Sequence, residues 1–205
     1  MLGRMASRSR AKRRAQPRPP VSEGGKRTRE ALLDAGSAVA ERAGLAGLSV
    51  NAVVAEAELA KGTFYVHFAD RDAFLDALHE RFHANIGRAI SAAVGDLPYG
   101  AERLSVGVEA YLDACLAQRA VKPLLREMRA GAHGANAMAE RESAMARLSD
   151  PNLRAMGCRD VDVTARLLVA MIAETALLEL EAGRRVAVAR RELRRLVDLI
   201  GEQAR

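Results

Sequence analysis

Apolar residues recur every three or four positions along most of this chain, whereas no sustained stretch alternates strictly between apolar and polar positions. A repeat of three to four residues is typical of an α-helix with one buried face, and a repeat of two is typical of a strand. The abundance of Ala, Leu, Arg and Glu also favours helices. The pattern therefore predicts an all-α protein of about nine helices.

The clearest pattern lies between Leu48 and Phe74. Ser49 suits the N-cap of a short helix, whose apolar residues then follow at helical spacing (Val50, Val53, Val54 and Ala57). A second short helix, about 61–67, places Phe64 and Phe68 four residues apart, where both can pack inward. Asp70 is a suitable cap for a third helix. This order predicts a helix-turn-helix followed at once by a longer helix.

The other faces of the second short helix carry a cation, a hydroxyl, a phenol and an imidazole: Lys61, Thr63, Tyr65 and His67. These groups suit phosphate oxygens and base edges. The alternative is that they are ordinary solvated residues of a small helical domain. The order of cap, turn, buried Phe pair and capped helix around them favours contact with DNA.

Residues 62–68, Gly-Thr-Phe-Tyr-Val-His-Phe, resemble the recognition-helix signature of the TetR family of bacterial transcriptional repressors, and the resemblance runs from about Arg27 to Leu78. It implies a three-helix helix-turn-helix DNA-binding domain at 26–72. It also implies a helical dimerisation and effector-binding domain at 73–205, with the homodimer formed through about 160–203. The expected function is a repressor that binds a pseudo-palindromic operator. The residues expected to contact DNA are Ser49, Asn51, Lys61, Gly62, Thr63, Tyr65, His67 and Arg71.

Two positions depart from the family pattern. Glu58 occupies a turn position where the family commonly has Gly, which tolerates a positive φ. Glu in that conformation would be strained by roughly 1 kcal/mol. Ala60 stands where the family often has Ser or Thr as a helix cap, and Ala gives up about 1 kcal/mol relative to Ser there. The fold is expected to survive both changes.

Apolar repeats predict seven further helices, at about 26–43, 72–94, 102–119, 123–131, 136–148, 160–182 and 188–203. The first is expected to bury Leu32, Ala35, Val39 and Ala43, and Gly44 is a natural stop. The helix at 160–182 is apolar nearly all round, which predicts burial on more than one side. The last places Leu193, Leu196, Val197 and Ile200 on one apolar stripe, with Arg190 outside that stripe.

The positive charge is concentrated at the N-terminus. Residues 1–30 hold ten Lys or Arg against two Glu, a net of +8, whereas the whole chain carries +6. Three prolines and the Gly24-Gly25 pair predict that residues 1–25 form a disordered basic arm. Such an arm would add contacts to DNA, or it would be an idle solvated tail.

The titratable residues give little sign of metal or catalytic chemistry. Cys115 and Cys158 have no metal-ligand spacing, and a reducing cytoplasm is the simpler interpretation. Cys115, between Ala and Leu, is expected to be a buried apolar residue rather than a redox sensor. His79 and His83, four apart, could share a metal, but a solvated helix face is preferred. No run of 18 apolar residues exists that would span a membrane.

No catalytic or cofactor motif is evident, so the chain is expected to be neither an enzyme nor a cofactor-binding protein. The alternative is a helical enzyme or small-molecule carrier with an incidental basic tail. Methionines cluster in the Ala-rich and Gly-rich C-terminal half, where they either line an adaptable apolar cavity or merely fill gaps in the core. Because the family usually holds an effector there, we expect a mostly apolar small molecule bound by Tyr111, Met128, Met138, Met145 and Met171.

Overall fold

The computed structural model describes residues 22–118 and 146–203, apart from the side chains of Leu45 and Gln203. Within these ranges every regular element is a helix, so the predicted all-α class is confirmed. The eight helices there are α1 Glu23–Gly47, α2 Val50–Glu56, α3 Lys61–His67, α4 Arg71–Val94, α5 Ala101–Ala117, α6 at 146–155, α7 Val161–Ala182 and α8 Ala187–Gln203. The helix predicted at 123–131 and the start of the one predicted at 136–148 lie outside the described residues.

Helix α1 begins earlier than predicted. The Oγ of Ser22 accepts the backbone N–H of Gly25 at 3.1 Å, and Lys26 pairs with Glu23 at 2.7 Å. This capping interaction extends the helix through the two glycines, so residues 23–25 do not belong to the arm predicted at 1–25. The first 21 residues lie outside the described range.

Gly44 interrupts α1 with a φ of 65° and a ψ of −176°. The chain turns there, and Ala43 lies exposed beside Gly47 rather than on the buried stripe where it was predicted. Leu32, Ala35 and Val39 are buried as expected. The stop predicted at Gly44 is therefore a kink, and three further residues, 45–47, follow it before α1 ends.

Helix α6 continues past residue 148, where the sequence predicted its end, and passes through Pro151. Pro151 lies on the exposed side, and Leu153 and Met156, which follow it, are buried. Burial of these side chains offsets the loss of one backbone hydrogen bond at proline.

Two clusters of buried side chains share helix α4. One joins α1, α2 and α3 to Phe74, Leu75 and Leu78. The other joins α5, α6, α7 and α8 to Phe82 and Ile86 further along α4. The chain at 95–100 then reverses direction, and α5 packs along α4.

Helix α7 is a central element of the second cluster. It buries residues on several sides, as its nearly uniform apolar character predicted. It ends at Gly183 with a left-handed φ of 65°. At its start, Asp160 occupies the N-cap position, but its side chain makes no capping hydrogen bond; its carbonyl accepts the N–H of Thr164 at 2.9 Å.

Arg190 on α8 is buried, contrary to the prediction that it lies outside the apolar stripe. It donates from Nε and Nη2 to the two carboxylate oxygens of Glu179 on α7, at 2.7 and 2.6 Å. Its Nη1 reaches Glu109 and Asp113 on α5, at 2.7 and 2.8 Å. The guanidinium is buried because three carboxylates satisfy it, and hydrogen bonds to Glu179 raise the pKa of Arg190.

Candidate nucleic-acid interface

The turn between α2 and α3 holds Glu58 in a left-handed conformation with a φ of 54°. The N–H of Leu59 donates to the carbonyl of Val54 at 2.9 Å, which closes the end of α2. Among the described non-glycine residues Glu58 alone has a positive φ, so this turn position is left-handed, the conformation for which the family commonly has Gly. The turn sets the angle at which α3 leaves α2.

The starts of the two short helices differ in their caps. Ser49 Oγ accepts the N–H of Ala52 at 3.1 Å, so the predicted N-cap of α2 is confirmed. Ala60 is extended and offers no side-chain cap to α3, also as predicted. Ser49 and Asn51 are both exposed at the start of α2.

An aromatic cluster fixes α3 on the domain. Phe64 and Phe68 are buried, with ring centroids 5.4 Å apart, and both contact Phe74 of α4, at 5.2 and 4.9 Å. Both phenylalanines were predicted to be core. Three mutually packed rings leave α3 little freedom to rotate about its own axis, so they determine which side chains face outward.

The outward face of α3 presents Lys61, Gly62 and Tyr65. Lys61 is exposed, and 49% of Tyr65 is accessible. A Cβ built on Gly62 would meet no atom within 4 Å, so the backbone there is open to close approach by a ligand. Thr63 is half-buried on the flank of the same helix.

His67, at the end of α3, differs electrostatically from the other predicted contacts. Burial lowers its pKa, and the charge of Arg29 lowers it further. The Nδ1 atom is buried and has no hydrogen-bond partner in the described part of the chain. At neutral pH the side chain is therefore an uncharged imidazole with one N–H to donate.

Arg71 has an internal contact that sequence reasoning missed. Its Nε donates to the carbonyl of Leu48 at 2.7 Å, which joins the start of α4 to the turn before α2. Arg29 was also missed: its guanidinium lies 5.1 Å from the centre of the Phe68 ring. The contact could have been expected because Arg29 lies one turn before the buried residues Leu32 and Leu33, on the side of α1 that faces the core.

The predicted effector residues are only partly within the described structure. Tyr111 packs half-buried against the C-terminal cluster, and burial raises its pKa. Neighbouring Cys115 is buried as predicted, and burial raises its pKa to about 12. Met171 lies at the edge of the same cluster. The remaining three, Met128, Met138 and Met145, lie outside the described residues.

A cleft of about 980 Å³ opens between α4, α5 and α8. Its described lining consists of alanines and Val106 with several charged groups, among them Glu102, Glu109, Asp113 and Arg194. Neither Tyr111 nor Met171 is in this lining. The cleft is therefore a different location from the cavity that the sequence suggested.

The two histidines of α4 do not form a solvated face. His79 is buried and His83 is half-buried, because α4 is covered by α1 along one part and by α5 along another. The preferred interpretation from sequence is therefore wrong. Among the described residues, no group of three or more His, Cys, Asp or Glu could hold a metal ion. In the same part of the chain no helix is long and apolar enough to cross a membrane.

Known proteins resemble both the N-terminal sequence and the whole fold. The profile of the family described as "Bacterial regulatory proteins, tetR family" matches residues 32–78. The HTH-type transcriptional repressor DhaR of Mycobacterium sp. strain GP1 is 34% identical over 68 residues, which are 33% of this chain and 34% of that protein. The chain thus matches about a third of this curated relative's length.

Solved structures extend the likeness in fold. A TetR-family transcriptional regulator from Pectobacterium atrosepticum superposes with a TM-score of 0.63 and 25% identity, over 88% of this chain and 95% of that one. A TetR-like transcriptional regulator from Rhodococcus sp. RHA1 gives a TM-score of 0.69 at 22% identity, over 83% and 93%. These proteins are described as regulators, which agrees with the expectation that the chain is not an enzyme. Residues 32–78 therefore belong to the tetR family of bacterial regulatory proteins, and the fold of the chain resembles that of TetR-like regulators.

Proposed function

We propose that this protein is a dimeric transcriptional repressor that acts in the cytoplasm, inserts α3 into the major groove of a pseudo-palindromic operator, and is released by a small molecule. The observation that carries the proposal is the outward face of α3. Lys61, Gly62 and Tyr65 lie exposed on a helix that three packed phenylalanine rings hold in place. A rigidly held helix with a cation, a phenol and an open backbone suits phosphates and base edges in a groove.

Around that face, the proposed contacts divide by role. Lys61 and Tyr65 reach into the groove, and Asn51 at the exposed start of α2 approaches the neighbouring backbone or a base edge. Thr63 and His67, on the flank, hold phosphates, where a neutral imidazole acts as a hydrogen-bond donor. Ser49 approaches the DNA backbone at the start of α2. Arg71 holds a phosphate at the start of α4 while its Nε donates to the carbonyl of Leu48.

The proposed dimer uses α7 and α8. Both helices carry large apolar side chains that remain exposed in a single chain: Val163, Leu167, Leu178, Val188, Leu196 and Leu199. Each is between 41% and 62% accessible. Such side chains on adjacent helices suit a two-fold interface, and a two-fold dimer matches a two-fold operator.

The proposed effector binds in the C-terminal domain. The cleft between α4, α5 and α8 has enough volume for a small molecule, but its charged lining does not suit a mostly apolar effector, so it is not assigned as the effector site. Tyr111 and Met171, at the edge of the adjacent core, stay predicted contacts. The effector must bind the DNA-incompetent dimer more tightly, because equal affinity for both states shifts nothing.

The test is selection of genomic fragments by the purified protein, followed by binding measurements on the recovered operator. Tyr65→Ala should weaken operator binding by about 1–3 kcal/mol and relax base preference at one position in each half-site. Tyr99→Ala is the matched control, since Tyr99 is similarly exposed but lies in the turn between α4 and α5. Wild-type operator affinity in the Tyr65 variant would contradict the proposal.

A further inference from the structure

Arg81 links the two halves of the molecule at the point where α4 passes from one buried cluster to the other. Leu78 is the last residue of α4 in the N-terminal cluster, and Phe82 is the first in the C-terminal cluster. Arg81 lies between them, and only 19% of its side chain is accessible. A side chain at this position can control how one half is held against the other.

The Arg81 guanidinium reaches across to α1 through several contacts. Its Nη2 donates to the carbonyl of Leu33 and to the hydroxyl of Ser37, both at 2.7 Å. Its Nη1 donates to Asp34 at 2.6 Å and lies 3.5 Å from Glu30. These contacts span two turns of α1, so they fix its rotation as well as its distance from α4.

A second contact between α1 and α4 lies nearby. A Cβ built on Gly36 would stand 2.4 Å from the Phe74 ring, so the glycine allows the ring to press against the α1 backbone. This apolar contact sets how closely the helices approach, but a ring on a flat backbone surface resists sliding only weakly. The directional hydrogen bonds of Arg81 supply that resistance.

We propose that Arg81 is a positioning residue that sets the orientation of the DNA-binding domain on α4, and thereby the half-site spacing that the dimer accepts. The inference rests on the proposed function. Each added base pair between half-sites moves one of them by about 3.4 Å and rotates it by about 35°. A dimer whose two DNA-binding domains are held in a fixed orientation discriminates against such a change in spacing. A dimer whose DNA-binding domains can rotate relative to α4 does not.

The first experiment compares wild type with Arg81→Met on the selected operator and on operators with one base pair added or removed at the centre. Methionine keeps an apolar stem and removes every donor. Affinity for the native spacing should fall roughly threefold to thirtyfold, and the penalty for altered spacing should shrink by a similar factor. Arg81→Lys, which retains charge and some hydrogen bonds, should fall between the two.

The matched control is Arg42→Met. Arg42 is also paired across two helices, through two hydrogen bonds to Glu56, but both helices lie inside the N-terminal cluster. This variant should retain the spacing preference of wild type. The salt dependence of binding distinguishes positioning from direct contact: a slope reduced by about 0.9 in Arg81→Met would indicate a lost phosphate contact and overturn the proposal.

The second experiment needs neither operator nor dimer, so it separates failure of this inference from failure of the proposed function. Nitroxide labels at Lys61→Cys and Glu102→Cys, in a Cys158→Ser background diluted with unlabelled chain, report the distance between the two halves of one chain by pulsed electron resonance. Arg81→Met should broaden or shift this distribution. An unchanged distribution overturns the proposal. If Arg81→Met does not fold, the pair Asp34→Ala and Ser37→Ala removes two side-chain acceptors of Arg81 and answers the same question.

Discussion

Replacing Arg190 with methionine should be among the most destabilising single changes in the C-terminal half. The substitution keeps much of the side-chain volume but removes all four hydrogen bonds that the guanidinium gives to Glu179, Glu109 and Asp113. Glu179 is only 1% accessible, and after the change Val186 would be its sole remaining hydrogen-bond donor among the described residues, through its backbone N–H at 2.8 Å. A buried carboxylate would then face the core without a counter-charge.

The magnitude follows from which carboxylates are buried. Breaking a buried ion pair by removing one partner costs about 3–5 kcal/mol, chiefly because the remaining charge stays out of water. Glu109 and Asp113 lie nearer the surface and keep their contacts with Arg194 and Arg185, so their share is about 1 kcal/mol or less. We therefore expect a loss of about 4 kcal/mol at pH 7.

Urea unfolding followed by circular dichroism, at one fixed protein concentration, measures this loss. A second variant, Arg190→Met with Glu179→Gln, removes the stranded charge while keeping an acceptor for Val186, and it should recover most of the stability. A loss under 1 kcal/mol, or a double variant no more stable than the single one, would refute the reasoning.

Three further changes test other features. Glu58→Gly should raise the unfolding free energy by up to about 1 kcal/mol, since Gly relieves the positive φ, and a lower melting temperature would contradict the strain. Because the folded-state pKa of His67 is lowered, its stabilising contribution is complete above its unfolded value near pH 6.5 and is lost as the pH falls through the folded value. His67→Asn should therefore lose less stability than wild type between pH 7 and 5 in denaturant titrations, and equal losses would count against the shift. Leu196→Glu should give monomers by sedimentation that no longer bind operator, whereas a dimer that still binds would exclude this face as the interface.

Local sequence signals predicted the N-terminal elements well. The bounds of α3, the N-cap at Ser49 and the left-handed turn at Glu58 each depend on a few neighbouring residues, which a sequence displays directly. The buried Phe64 and Phe68 followed from simple helical spacing. The outward face of α3 could be predicted for the same reason, because the residues on the side opposite Phe64 and Phe68 must face solvent.

Predictions failed where a polar side chain is buried by partners distant in sequence. Arg190 lies three residues before Leu193 and seven before Val197, which is the spacing of the buried stripe, but its charge suggested a solvated position. His79 likewise follows Leu75 by one turn on α4. Both residues thus have the spacing of buried positions, although the apolar stripes predicted from the sequence left them out because they are polar. The carboxylates that make burial of Arg190 favourable come from α5 and α7 and cannot be seen in one sequence.

The division of α4 between two clusters bears on how the protein unfolds. Phe74, Leu75 and Leu78 complete the N-terminal cluster, so a fragment that stops at Asp72 would leave Phe64 and Phe68 without their main aromatic neighbour. One continuous helix whose successive turns serve two cores also transmits melting from one core to the other. We therefore expect a single calorimetric transition rather than two. A chimaera that takes its DNA-binding domain from a relative should therefore keep its stability only when the first half of α4 is transferred together with that domain.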